Sequence, residues 1–201
     1  MPIWAIVPVK PFLHSKSRLA EVLSPQERAG LSREFLGHAL DVLAQVPAIT
    51  QTLVISRDSQ VLALARDHKA HTVTEAGSPD LNQALRRATD AARSLGAGAV
   101  LILPADLPLL SMEDVRYLAD DSGNQPTVII APDRRESGTN ALFVRPPGLI
   151  DYAFGPGSFQ KHLLLAAQAG AQIRFCRLPG TALDVDLPED WDVYQQYLSK
   201  Q

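Results

Sequence analysis

Apolar residues along this chain alternate between two rhythms, short unbroken runs and helical stripes. Residues 3–9 are an apolar run that reads as a buried strand. Ser24-Pro25-Gln26-Glu27 then opens a helix: Ser24 caps, Pro25 suits the first turn and Glu27 completes a capping box. That helix is expected to run to about residue 45, followed by a strand over 52–56, a helix over 58–69 and a short strand over 71–74. The clearest helix spans 80–95, where Leu81, Ala84, Leu85, Ala88, Ala92 and Leu95 form one apolar stripe and Gly96 and Gly98 end it. A strand over 99–103 follows, and Ser111-Met112-Glu113-Asp114 opens another helix. Residues 127–131 and 140–144 read as strands, 158–169 as a helix, 172–178 as a strand and 188–198 as the last helix.

Strands alternating with helices favour a mostly parallel α/β sheet covered on both faces. Ligands of such sheets gather at the carboxyl ends of the strands. The loops 10–18, 104–108 and 179–186 each follow a predicted strand, so their side chains are expected to share one crevice. At 201 residues, with no interior linker, repeat or low-complexity tract, residues 1–201 are expected to form a single domain. Arg145-Pro146-Pro147-Gly148 reads as a short surface connection.

Composition narrows the function. The apolar fraction of 46% is enough for a core and too high for a disordered chain. A net charge of −3 supplies no global basic field for nucleic acid, so anionic ligands must be held by local cations. The single cysteine, Cys176, excludes an internal disulfide and a cysteine-based zinc cluster, and its apolar run, 173–178, reads as a packed strand. The first residues lack the features of a signal peptide, and no apolar run approaches the roughly 20 residues that span a bilayer. The expectation is a soluble, cytoplasmic protein that binds neither membrane nor nucleic acid.

The chemistry concentrates in five segments. Leu103-Pro104-Ala105-Asp106-Leu107-Pro108 and Leu183-Asp184-Val185-Asp186-Leu187-Pro188 place carboxylates after apolar runs. Such carboxylates suit a hard divalent cation that also touches phosphate. Asp184 and Asp186 alternate, so in extended backbone both face one side, although Asp186 or Asp190 also suits the start of the last helix. The first loop has no glycine and therefore neither a dinucleotide fingerprint nor a P-loop. It offers Lys10, His14, Lys16 and Arg18, cations for phosphate, though a solvated basic loop would have the same composition. Arg134 and Arg135 are candidate anion contacts or a solvated pair, and Gly138 and Thr139 offer a backbone N–H and a hydroxyl. Phe154-Gly155-Pro156-Gly157-Ser158 precedes a helix, an arrangement that serves an oxyanion or simply caps. His162, one turn into that helix, is read as a packing or surface residue.

In order, Val7-Pro8-Val9-Lys10, Lys16-Ser17-Arg18-Leu19, Leu81-Asn82 with Ala84-Leu85, Pro104-Ala105-Asp106-Leu107-Pro108, Asp133-Arg134, Gly138-Thr139-Asn140-Ala141-Leu142, Phe154-Gly155-Pro156-Gly157-Ser158 with His162, and Asp184-Val185-Asp186 with Pro188-Glu189-Asp190 resemble the guanylyltransferases of deazaflavin coenzyme F-420 biosynthesis. The resemblance covers nearly the whole chain, with Phe12-Leu13-His14-Ser15 a looser match. It implies a three-layer α/β/α fold like the nucleotide-diphospho-sugar transferases, mostly parallel with one antiparallel strand. It implies transfer of GMP from GTP to phosphoenolpyruvate, 2-phospho-L-lactate or 3-phosphoglycerate, with release of pyrophosphate. By position, Asp106, Asp184 and Asp186 correspond to carboxylates for Mg2+. Lys10, Lys16, Arg18 and Asn82 correspond to the GTP side, with Lys10, Lys16 and Asp106 carrying the catalysis. Thr139, Gly155 and Ser158 correspond to contacts with the phosphorylated acid. The implied partners are these small molecules and a downstream deazaflavin transferase; a homodimer is held as an expectation that no residue pattern carries. The rival readings are a molybdenum-cofactor nucleotidyltransferase, a glycosyltransferase with a D-x-D metal site, and a non-catalytic nucleotide-binding regulator. The lysine-bearing, glycine-free opening loop argues against the first two, and the cost of three carboxylates without a metal argues against the third.

Overall fold

The strand residues sort by period two onto the two faces of one sheet. In the computed structural model, which describes residues 1–77, 79–120, 123 and 125–200, the strands are β1 (Ile3–Pro8), β2 (Ile49–Ser56), β3 (His71–Thr74), β4 (Ala99–Ile102), β5 (Thr127–Pro132), β6 (Thr139–Arg145) and β7 (Gln172–Phe175). Their order is β3-β2-β1-β4-β6-β5-β7. β6 pairs antiparallel with both β4 and β5, and every other pairing is parallel. The expected mostly parallel sheet with one antiparallel strand is therefore present.

The helices are α1 (Pro25–Ala44), α2 (Ser59–Asp67), α3 (Leu81–Ser94), α4 (Met112–Leu118), α5 (Ser158–Gln168), α6 (Pro179–Ala182) and α7 (Pro188–Leu198). On β1, Ile3, Ala5 and Val7 join the core that Leu36, Leu40 and Leu43 of α1, Val61 of α2 and Val115 of α4 complete. Trp4 and Ile6 face the other way, onto Leu85 and Ala88 of α3 and Phe159 of α5. Each such leucine or isoleucine is buried on folding, worth about 1.5–3 kcal/mol apiece. The capping box at α1 is closed as expected: Ser24 Oγ accepts from Glu27 N at 3.3 Å and Glu27 Oε2 accepts from Ser24 N at 2.8 Å.

Three details differ from the sequence reading, the first being that Arg145, expected in a surface connection, is the buried last residue of β6. The ends of the α3 stripe are exposed, Leu81 at 41% and Leu95 at 62%. The segment after β7 is not simply a loop: α6 lies in it, packed so closely that a Cβ at Gly180 would collide with Asp114 Oδ2 and stand 2.6 Å from the carbonyl oxygen of Leu109.

Candidate active site

A third apolar cluster explains how distant acids meet. Leu183 and Val185 are buried with Leu19, Leu31, Phe35 and Tyr194. Since side chains alternate in extended backbone, burying Leu183 and Val185 turns Asp184 and Asp186 outward, into the crevice at the carboxyl ends of β1 and β4. The amide of Val185 donates to the carbonyl of Asp106 at 3.2 Å, tying this segment to the loop after β4. The crevice measures about 960 Å³, and Lys10, His14, Lys16, Arg18, Asp106, Thr139, Gly155, Ser158, Asp184 and Asp186 all line it. The three loops expected to converge do so.

The carboxylates are not equal. Burial, reinforced by the nearby charge of Asp106, pushes the Asp184 carboxyl up to about 6, while the Asn140 amide, 3.4 Å from Oδ1, works the other way. Asn140 is itself fixed by donating to the carbonyls of Thr181 and Ala182 at 3.0 and 3.2 Å. Lys16 Nζ lies 3.3 Å from Asp106 Oδ2 and 3.9 Å from Asp186 Oδ1, with only 6% of its side chain exposed. Those are ion-pair distances, yet the ammonium has no well-directed hydrogen-bond acceptor among the described residues. A buried ammonium so placed is suited to an incoming oxyanion. Lys16 holds a left-handed backbone (φ 51°), which costs a side-chain-bearing residue about 1–2 kcal/mol. Its carbonyl is claimed by Leu19 N at 2.9 Å and by Arg28 Nη1 at 3.4 Å. Arg18, largely exposed, pairs with Asp186 Oδ2 at 3.1 Å.

Asp106, Asp184 and Asp186 are three of the carboxylates that line the crevice, with Glu75, Asp80 and Asp133. Among the described residues no three His, Cys, Asp or Glu side chains stand close enough together to hold one; the Lys16 ammonium lies against two of the three carboxylates.

Across the crevice, β6 runs against its neighbours and so delivers its first residues, Thr139 and Asn140, to the edge where β1 and β4 end. Behind Thr139 sits His162, fully buried. His162 Nε2 accepts from the backbone N–H of Ala153 at 3.0 Å, and an amide there can only donate. The ring proton therefore resides on Nδ1, which donates to Thr139 Oγ1 at 3.0 Å and leaves the threonine hydroxyl hydrogen free for another acceptor. Burial, helped by the charge of Lys161, lowers the histidine to about 4, so the ring is neutral. Gly155 (φ 120°) and Gly157 (φ 70°) carry backbone that L side chains avoid, and they bring the chain into Ser158 at the start of α5.

Some expected contacts lie elsewhere. Asn82 does not line the crevice. Its amide brackets the Phe154 peptide, Nδ2 donating to the carbonyl at 3.2 Å and Oδ1 accepting from the amide at 2.8 Å, so it braces the loop that carries Gly155. Arg134 pairs with Asp190 at 2.6 Å, and Arg135 lies 3.7 Å from the same oxygen. That buried carboxylate claims both guanidiniums, and neither lines the crevice. Asp190 also accepts from Leu187 N at 3.0 Å, the helix-start role foreseen for an acid in this segment. Cys176 is buried as expected. His162 is packed, one of the two readings its sequence allowed, but its bond to Thr139 and the anchoring of Asn140 were missed, since polar side chains acting through neighbours leave no spacing signal.

Comparison with known proteins places the whole chain in one family. A family model described as "Guanylyl transferase CofC like" matches residues 3–193. The phosphoenolpyruvate guanylyltransferase of Rubrobacter xylanophilus is 44% identical over 190 residues, 94% of this chain and 92% of that one. The 2-phospho-L-lactate guanylyltransferase of Methanothermobacter thermautotrophicus is 36% identical over 94% of this chain and 82% of that one. In fold, a Desulfovibrio desulfuricans G20 structure assigned to the nucleotide-diphospho-sugar transferases superposes with a TM-score of 0.77 at 19% identity, covering 98% of this chain and 88% of that one. A nucleotidyl transferase from Methanothermobacter thermautotrophicus gives 0.69 at 18% identity, covering 100% and 99%. With matches over nearly its whole length, the chain belongs to the CofC-like guanylyl transferase family.

Proposed function

We propose that the protein transfers GMP from GTP to a three-carbon phosphorylated acid, phosphoenolpyruvate, releasing pyrophosphate, and that its product enters coenzyme F-420 assembly through a deazaflavin transferase. The observation that carries this reading is the pairing, in one crevice, of three aspartates with a hydroxyl-and-glycine cradle on Thr139, Gly155 and Ser158. The naming of the Rubrobacter relative supports phosphoenolpyruvate as acceptor.

The attacking group is the acceptor's own phosphate, ionised at neutral pH, so no general base is required, and the neutral His162 is not called on to be one. An acceptor phosphate oxygen forms a bond to the α-phosphorus of GTP while the bond to the bridging oxygen of the β-phosphate breaks, and pyrophosphate leaves with that electron pair. The obstacle is the repulsion of two polyanions. Lys16 and Lys10 neutralise the triphosphate and the departing pyrophosphate, with Arg18 at the mouth. Thr139, Gly155 and Ser158 align the acceptor, and catalysis is positioning plus charge stabilisation.

An all-oxygen carboxylate set fits Mg2+, and a carboxyl raised to about 6 beside Asp106 is a group that gains from a nearby cation. Asp106, Asp184 and Asp186 do not stand close enough together here to hold the ion as they are, and would have to draw together to do so. When bound, it would screen phosphate oxygens and stabilise charge on the leaving group. The test is one panel: GTP or ATP with phosphoenolpyruvate, 2-phospho-L-lactate or 3-phosphoglycerate, with Mg2+ or with chelator, read by mass spectrometry and pyrophosphate release. The expected result is a GMP adduct of phosphoenolpyruvate with Mg2+ alone; no adduct with any acid overturns the reading.

A further inference from the structure

The chemistry above leaves one charged pair in the crevice unused. Arg57 follows β2 and Glu75 follows β3, and both line the same crevice. Arg57 Nη2 stands 2.9 Å from Glu75 Oε1, and Arg57 Nε donates to Oε2 at 3.2 Å, a two-point fork. The side chains are 30% and 16% exposed, so the pair is half-buried. Its place is set by backbone: the amide of Glu75 donates to the carbonyl of Ser56 at 2.9 Å, continuing the β2–β3 ladder, and Arg57 also reaches the carbonyl of Gly77 at 3.4 Å. Beside it are apolar surfaces from Ile55, Pro79, Ala84 and Leu81, the residue at the exposed end of the α3 stripe.

The strand order sets the distance. β3, β2, β1 and β4 are consecutive neighbours, so the end of β3 lies three strand spacings, about 14 Å, from the end of β4 that leads to Asp106. Lys10, after β1, lies between them along the crevice. A nucleotide with its α-phosphate at the aspartates and its sugar over the β1 loop therefore lays its base on the apolar shelf, with its edge toward Arg57 and Glu75. Guanine presents there two adjacent donors, N1–H and the 2-amino group, beside the acceptor O6. A carboxylate has about four lone-pair sites, so Glu75 can hold Arg57 and still accept both donors, while the guanidinium has N–H groups left for O6 or N7. Adenine offers a lone pair at N1 and nothing at C2, and its lone pair would face a carboxylate.

We propose that Arg57 and Glu75 determine base specificity, selecting guanine over adenine. The proposal rests on the nucleotidyl-transfer reading above and adds to it the residues that read the base. The experiment compares wild type, Glu75→Gln and Glu75→Ala, each with an unchanged circular-dichroism spectrum, in two assays: calorimetric binding of GTP, ITP and ATP, and turnover of each nucleotide. Expected is a wild-type preference for GTP, weakened for ITP, which lacks the 2-amino group. In both variants kcat/KM for GTP should fall about 100-fold through KM, with kcat at saturation within about threefold, and the GTP-over-ATP ratio should collapse toward one. A wild type that binds GTP no better than ATP, or variants that keep the wild-type ratio, overturns the assignment. GTP-selective binding lost in the variants, with no product from any acid, supports the pair and overturns the acceptor reading alone.

Discussion

Acidification should remove the stabilising contribution of one buried residue, His162, while Asp184, raised to about 6, works in the opposite sense over the same range. The His162 ring is buried and neutral, with Nε2 accepting from Ala153 N at 3.0 Å. A second ring proton would have to be placed on Nε2, against that amide hydrogen. The folded value is about 4, against 6.5 for the free side chain. Because the folded value is the lower one, the unfolded chain binds more protons between these limits, and stability rises with pH there. The contribution is complete above about pH 6.5 and is lost as pH falls toward 4, reaching at most about 3 kcal/mol, with about 2 kcal/mol lost by pH 5. The assay is urea unfolding of wild type and His162→Asn, which retains a hydrogen-bonding side chain and removes the titration, at steps from pH 7.5 to 4.5. Other groups titrate alike in both proteins, so the wild-type advantage at pH 7.5 should shrink by about 2 kcal/mol at pH 5. Stability curves that stay parallel, within about 0.5 kcal/mol, would show that His162 is charged or exposed in the folded state and refute the tautomer assigned to the Thr139 contact.

Three further outcomes follow, two from the crevice and one from the packing of α6. Asp106→Asn should retain the wild-type unfolding midpoint to within a few degrees yet lower turnover by about a hundredfold or more, the scale of one strong electrostatic contact; steady-state pyrophosphate release checks it, and near-wild-type rates would remove Asp106 from the chemistry. Lys16→Ala should raise KM for GTP while leaving the acceptor KM nearly unchanged, and unaltered kinetics would take Lys16 out of the nucleotide site. Gly180→Ala should destabilise by about 1–3 kcal/mol, since the new methyl group meets Asp114 and the Leu109 carbonyl; an unchanged denaturant midpoint would mean that α6 moves aside freely.

Much of the architecture was legible because its causes are local. Ser24-Pro25-Gln26-Glu27 makes a helix start wherever it occurs, and the α3 stripe is a statement about spacing. The antiparallel setting of β6 is different. Its residues 140–144 read as a strand, but its direction depends on β4 and β5, and only the resemblance to a family implied one antiparallel strand. α6 escaped because Gly180 disfavours helix and four residues carry no period, although Pro179 suits its first position.

The candidate site divides in the same way. Residue types and order sufficed to pick out Lys16, Asp106, Thr139, Ser158, Asp184 and Asp186, all of which meet in one crevice. They did not show which hydrogen-bonding groups were already engaged. Asn82 was assigned to the nucleotide and braces Phe154; Arg134 was a candidate anion contact and answers Asp190.

Taken alone, the amino-acid order determined what each short segment prefers: its period, its caps, and the charges it carries to a strand end. Tertiary structure decided who neighbours whom. Burial of Leu183 and Val185 against α1 and α7 aims two aspartates into the crevice, an antiparallel strand delivers Thr139 opposite them, and a backbone amide chooses the tautomer of His162. Propensity is a property of a few consecutive residues, whereas partnership depends on contacts between residues far apart in the chain.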